Sequence, residues 1–316
     1  MHYIDGYESV SLKKEIEVTD IFSIHYFEYT KDFFFKGEKH NFWEMCYVDN
    51  GVVEITADSM KHVLFKGDAI FHKPGEFHSL KANGKTAPNL VVFSFLCNSP
   101  AVKWFENKIV KICDRDRKLM GRILFEAKQS FSTPLSDPMI KRIERKPSAS
   151  FGSEQIIKMY IEEFLLNFIR DDLDVIRQEK PQEYYLQGTV EAVYSRVVNF
   201  MMENITGNIS TEDICRFAGF SRSYLHRIFK NRSGRSLMEY YKRLKLEKAK
   251  QLIREGEYNF SEISYKLNFS SLQNFSKLFK QYFGMTPRDY AKSVKLNSEF
   301  VIYPEKSQSA EYPDTY

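Results

Sequence analysis

At 316 residues the chain is about twice the usual domain length, which disfavours a single domain and leaves room for two sizeable cores. Its composition, 43% apolar and 28% charged with 14 Gly and 10 Pro, excludes a disordered chain and a fibre. The net charge of +4 hides an asymmetry: residues 1–187 hold 26 Lys and Arg against 28 Asp and Glu, residues 188–296 hold 19 against 10, and residues 297–316 hold 1 against 4. The middle segment alone is suited to a polyanion, nucleic acid first.

The opening MHYIDGYESV lacks a basic and an apolar leader segment, and no apolar run nears the roughly 20 residues of a membrane span. A cytoplasmic protein with no membrane partner is expected. From residue 25 to about residue 96, short strands alternate with turns. Residues 45–48 and 52–55 flank Asp49-Asn50-Gly51, which predicts a β-hairpin because Asn and Gly both tolerate positive φ. The turns Lys66-Gly67-Asp68 and Lys73-Pro74-Gly75-Glu76 separate strands at 69–71 and 77–80, and residues 89–96 form another apolar strand. Strands so closely spaced close into a barrel or sandwich. Cys46, Cys97, Cys113 and Cys215 form no CxxC pair, so they read as reduced, mostly buried thiols rather than a disulfide framework or zinc site.

After Pro100 the pattern turns helical, broken at Pro134, Pro138 and Pro147. Over residues 154–170, Ile157, Ile161, Phe164, Leu165 and Phe168 form one stripe, while Ile156, Met159, Leu166 and Ile169 lie largely outside it. A helix apolar over so much of its circumference has two surfaces to bury, and two readings stand: one surface on its own domain with the other on a second subunit, or a central helix wholly inside its own domain.

The basic segment nearly repeats itself. Ile214-Cys215-x3-Gly219-Phe220-Ser221 matches Ile263-Ser264-x3-Asn268-Phe269-Ser270 at an offset of 49. After one inserted residue, Leu225, Arg227, Ile228, Phe229 and Lys230 match Phe275, Lys277, Leu278, Phe279 and Lys280 at an offset of 50. Each copy has the chemistry of a helix-turn-helix: a small residue where helices cross, a Gly or Asn for the left-handed turn, then Ser221 or Ser270 as the N-cap of a second helix. The outer face of that helix carries Arg222, Ser223, His226 and Arg227 in one copy, and Leu272, Gln273, Ser276 and Lys277 in the other. These types can bond base edges or touch a thymine methyl group, and Lys230 and Lys280 follow as phosphate partners. Between the copies, a stripe of Leu237, Tyr240, Tyr241, Leu244, Ala249, Leu252 and Ile253 predicts one long helix over 236–256.

The stretch FAGFSRSYLHRIFKNRSGRSLMEYYKRLKLEKAKQLI and the following FSEISYKLNFSSLQNFSKLFKQYFGMTPRDYAK resemble the DNA-binding domain of AraC/XylS-type transcription regulators. The resemblance covers residues 209–292 and implies base contacts from Ser223, His226 and Arg227, and from Gln273, Ser276 and Lys277. A second stretch, HNFWEMCYVDNGVVEI with FKGDAIFHKPGEFHSL, is similar to the cupin-type sensor barrel of the same regulators. Metal-binding cupins use His-x-His, a downstream Glu and a later His; the corresponding positions here are Glu38, His40, Glu44 and His78, so one histidine has become a glutamate. The resemblance implies His40, Glu44 and His78 as effector-binding residues, with no metal and no other cofactor assigned.

The expected fold is α+β and multidomain: a cupin-like β-barrel with flanking helices for sensing and dimerisation (1–177), a linker (178–187), an all-α domain with two helix-turn-helix units (188–296) and a flexible tail (297–316). The expected function is a sequence-specific regulator, not an enzyme, with double-stranded DNA, a small-molecule effector such as a sugar or related metabolite, and a second copy of itself as partners. The alternative is a metal-dependent cupin enzyme with an accessory helical domain. No Walker loop, dinucleotide fingerprint, HExxH or GxSxG motif supports a different catalyst.

Overall fold

The computed structural model describes residues 3–4, 7–176 and 190–302. They fall into two compact units, one built from elements before residue 177 and one from elements after residue 189. The expected linker, 178–187, lies outside the described residues.

The first unit opens with a short ribbon, β1 (Tyr3–Ile4) and β2 (Tyr7–Glu8). It continues through β3 (Val18–Glu28), β4 (Phe34–Lys39), β5 (Trp43–Asn50), β6 (Val52–Ala57), β7 (Met60–Phe65), β8 (Asp68–His72), β9 (Phe77–Ala82), β10 (Asn89–Cys97) and β11 (Ile109–Lys111), then helices α1 (Asp114–Ser130) and α2 (Ser153–Ile176). The strands form two antiparallel sheets, ordered β11-β8-β5-β10-β3 and β4-β9-β6-β7.

Side chains alternate across a strand, and in the central strands both faces are buried. Leu90 and Val92 of β10, Cys46 and Val48 of β5 and Ile70 of β8 face a core shared with Val53, Ile55, Leu64 and Ala82 of the four-stranded sheet. The alternate residues, among them Val91, Phe93, Phe95, Met45, Tyr47 and Phe71, face a second core with Leu119, Ile123, Ile157, Ile161, Phe164 and Leu165 of the helices. The unit is therefore sheet on sheet on helices. The expected apolar stripe of α2 is buried throughout, whereas Met159 stays 57% exposed.

The hairpin expected around Asn50-Gly51 is not one. Strand β5 already has β8 and β10 on its two edges, and the chain turns at Gly51 to enter the other sheet, where β6 pairs with β7 and β9. Gly51 has φ +85°, and a Cβ there would lie 2.9 Å from Pro88 Cα, so the corner requires glycine. The hairpin is instead β6–β7, closed across Asp58-Ser59. Of the cysteines, Cys46 and Cys97 are buried but Cys113 is exposed.

The second unit comprises α3 (Val190–Glu203), α4 (Thr211–Ala218), α5 (Arg222–Ser233), α6 (Leu237–Glu255), α7 (Phe260–Lys266), α8 (Leu272–Phe283) and α9 (Pro287–Ile302). Two cores share one helix. Leu237 and Tyr241 of α6 pack with Val197, Ile214, Leu225 and Phe229. One to two turns on, Leu246, Ala249 and Leu252 pack with Ile263, Phe275, Phe279 and Tyr290. Capping boxes at Ser210/Asp213, Ser236/Glu239 and Asn259/Glu262 start α4, α6 and α7. Helix α9 runs to Ile302, six residues into the expected tail, because residues 297–302 contain no breaker before Pro304. No described helix is long and apolar enough to cross a membrane.

Candidate nucleic-acid interface and sensor cavity

The two helix-turn-helix units are α4–α5 and α7–α8. Their turns take the left-handed conformation at Gly219 (φ 74°) and at Asn268 (φ 55°), where an Asn side chain is tolerated. Ser221 caps α5, its hydroxyl accepting from Tyr224 N. The cap of α8 is Ser271, accepting from Asn274 N at 3.1 Å, rather than Ser270, which instead accepts from Asn274 Nδ2 at 2.8 Å. The second turn is one residue longer, and this extra residue is the step from offset 49 to 50.

Burial then sorts each second helix into two faces. Helix α5 buries Leu225, Ile228 and Phe229 and leaves Arg222, Ser223, His226, Arg227 and Lys230 exposed. The Arg227 guanidinium lies 5.6 Å from the ring of Tyr224, a half-buried neighbour that gives it a platform. Helix α8 buries Phe275 and Phe279 and leaves Leu272, Gln273, Lys277 and Lys280 exposed, with Ser276 half-buried. Every residue expected at this interface is thus on the solvent side of its helix, Ser276 least so. The two faces differ: the first carries three cations, Arg222, Arg227 and Lys230, beside Ser223 and His226, whereas the second carries two, Lys277 and Lys280, beside Leu272, Gln273 and Ser276.

In the first unit a cavity of about 500 Å³ lies between the sheets. Its apolar wall includes Phe27, Tyr29, Phe33, Ile55, Leu90 and Val92, residues of the inter-sheet core. Farther along the same strand faces, the period of two brings in polar types: Glu44 before Cys46 on β5, Ser94 after Val92 on β10, His72 after Ile70 on β8 and His78 before Leu80 on β9. The structure brings together His40, Glu44 and His78, with Glu38 beside them. His78 Nε2 is 3.3 Å from Glu44 Oε1 and 3.8 Å from Glu38 Oε1, and His40 Nε2 is 3.6 Å from Glu44 Oε2. Ser94 donates to Glu44 Oε2 at 2.7 Å.

Burial would raise the pKa of Glu44, but the imidazoles of His40 and His78 and the Ser94 hydroxyl outweigh it and keep the carboxyl ionised far below its usual range. Burial would lower that of His78, but Glu38 and Glu44 overcome it and push the imidazole up to about 10. An acidic, hydrogen-bond-rich end thus faces an apolar, aromatic body. Four further liners, His25, His72, Ser94 and Lys141, escape motif reading. Strand parity from Ile70 and Val92 would have pointed to His72 and Ser94, whereas Lys141 comes from the segment after α1. That segment is anchored by Leu135, whose carbonyl accepts from Tyr26 N at 2.9 Å and from His25 Nδ1 at 3.2 Å.

A tandem of helix-turn-helix units on a shared helix, each with a polar face outward, defines a class of double helix-turn-helix proteins. Residues 214–293 match the family model described as a helix-turn-helix domain. The HTH-type transcriptional regulator GbdR of Pseudomonas aeruginosa is 29% identical over 154 residues, which are 49% of this chain and 41% of that protein. A solved AraC-type DNA-binding-domain regulator from Chromobacterium violaceum is 32% identical, covering 33% of this chain and 93% of that one with a TM-score of 0.32. ToxT from Vibrio cholerae O395 is 15% identical, covering 89% of this chain and 99% of that one with a TM-score of 0.34. The helix-turn-helix region of the chain is similar to the DNA-binding regions of such transcription regulators. It spans about two fifths of the length of GbdR.

Proposed function

We propose that this chain is a sequence-specific, DNA-binding transcription regulator whose first unit senses a small molecule. The observation that carries the reading is the pair of exposed recognition faces, Arg222, Ser223, His226, Arg227 and Lys230 on α5 and Leu272, Gln273, Ser276, Lys277 and Lys280 on α8. Two such faces on one duplex strand suit successive major grooves, about one helical turn apart. The effector enters the inter-sheet cavity and meets His40, Glu44 and His78. Its apolar wall favours a ligand with an apolar body over the sugar expected from sequence, since a sugar would leave hydroxyls unpaired there. The chain works in the cytoplasm as a homodimer paired through α2, without catalysing a reaction. Residues 1–177 sense and dimerise, 178–187 link, and 188–296 bind DNA. The metal-dependent enzyme reading rests on the Glu38, His40, Glu44 and His78 cluster alone and leaves both recognition faces unused.

Reciprocity tests the coupling. An effector changes DNA affinity only by binding two states unequally, and the usual coupling is about 1–3 kcal/mol. Calorimetric titration of a candidate effector with and without cognate duplex should therefore give affinities that differ by the factor by which the effector changes duplex binding. Equal effector affinities in the two titrations would contradict a sensor role.

A further inference from the structure

We infer that residues 134–143, in the segment between α1 and α2, are a lid on the inter-sheet cavity and the gate through which its ligand passes. Pro138, Met139, Ile140 and Lys141 line that cavity, and every other liner lies between Phe22 and Ser94, on β3 to β10 or their connections. One wall of the cavity is thus supplied by a stretch that forms no helix or strand and in which no residue is buried.

The segment is fixed at its base and lightly held at its tip. At the base, Ser132 N donates to the Glu144 carbonyl at 2.9 Å and Lys146 N to that of Ser130 at 2.8 Å, while Phe131 and Arg145 pair across a single bridge. Arg145 forks onto Glu154 of α2, Nε at 2.8 Å and Nη2 at 3.0 Å, and the Ser130 and Ser153 hydroxyls meet at 2.7 Å. Motion is therefore confined to the tip. Among the described residues, two hydrogen bonds seat 134–143 on the sheet, and both end on the Leu135 carbonyl, from Tyr26 N at 2.9 Å and His25 Nδ1 at 3.2 Å. A stretch with so few bonds and no buried side chain opens at far lower cost than the sheet beneath it.

Its underside is incompletely packed as well. Strand β3 is the edge of its sheet, and the segment covers that edge. A void of about 10 Å³ remains between them, bordered by Ile24 and Phe131 on one side and by Leu135, Ile140 and Ile143 on the other. Atoms facing a void lose the contacts that close packing supplies. Within the segment, Ile140 borders both this void and the ligand cavity, so lifting it opens the cavity along β3. A ligand with an apolar body returns contacts to Met139 and Ile140 in the seated state alone, and so draws the lid down over itself. The ligand's part in this rests on the sensor reading; the opening itself does not.

The native cysteines supply the test in the full chain, without effector or duplex. Cys46 is a buried cavity liner, Cys97 is buried in the core between sheet and helices, and Cys113 is exposed. Labelling by methyl methanethiosulfonate, resolved by peptide mass spectrometry, therefore reports cavity access, unfolding of the unit and reagent activity respectively. Ile140→Ala should raise the Cys46 rate at least about fivefold and leave Cys97 and Cys113 unchanged, whereas Ser136→Ala, at an exposed position, should change none of them. In the wild type the Tyr26 amide should exchange at least about tenfold faster than the amides of β10, which is paired on both sides. A Cys46 rate that ignores Ile140→Ala, an equal rise at Cys97, or a Tyr26 amide that exchanges only with those of β10 overturns the lid. A failed lid leaves the sensor reading standing, and a working lid in a chain whose effector titrations show no coupling to duplex removes only the sensor role.

Discussion

At the residue scale, Arg227 and Lys230 sit on the same exposed helix yet should act differently. Arg227 lies in the middle of α5 beside Tyr224, where its planar fork can meet guanine O6 and N7 together. Lys230 is a point charge one turn nearer the C-terminus of the helix. Arg227→Ala should cost about 1–3 kcal/mol on cognate duplex and relax preference at particular base pairs, whereas Lys230→Ala should weaken all sequences alike and lower the salt slope by about 1. Fluorescence anisotropy on cognate and scrambled duplexes distinguishes these outcomes. Equal losses on both duplexes for Arg227→Ala would remove it from base reading. These outward faces were legible in the sequence because helical spacing fixes which residues share a side, and Leu225, Ile228 and Phe229 mark the buried side. The polar end of the cavity was less so: His72 hydrogen-bonds Glu76 at 2.7 Å in the interior, and a histidine's burial cannot be read from its type.

At the element scale, the cap of α8 and the surface of α2 carry separate expectations. Ser271→Ala should destabilise the chain by about 1 kcal/mol, the usual value of an N-cap, and Ser270→Ala by less than half as much. Chemical denaturation of the two variants orders them, and the reverse order would restore the cap to Ser270. Two serines in a row cannot be told apart by cap propensity; only the longer second turn, hinted at by the shift in repeat offset, decides. The Asn50-Gly51 corner failed for a related reason. The dipeptide specifies positive φ, but whether the next strand pairs with the last depends on which edges of β5 are already taken, and β8 and β10 come later in the chain. On α2, Met159 is 57% exposed while the opposite stripe is buried, so a charge there has little to disrupt inside the unit. Met159→Glu should yield a folded monomer by sedimentation. A variant that remains dimeric would place the subunit contact elsewhere, and one that unfolds would place Met159 in the core.

At the scale of the whole molecule, a sheet sandwich with a half-polar cavity is followed in the chain by a helical unit, and residues 188–296 carry an excess of nine positive charges. The division into these two parts was legible from charge and from the change of hydrophobic period. The sheet order was not, because it is set by pairings between distant segments. The central claim is that α5 and α8 read one duplex together, and selection of bound duplexes from a random library by the full chain, at several salt concentrations, tests it most directly. Two unlike motifs with centres about 10–10.5 bp apart are expected. One should contain a guanine whose selection is lost in Arg227→Ala, the other should favour A·T pairs suited to Leu272 and Gln273, and enrichment of both should fall steeply with salt. Recovery of no motif, or of a single motif indifferent to Arg227→Ala, would contradict it.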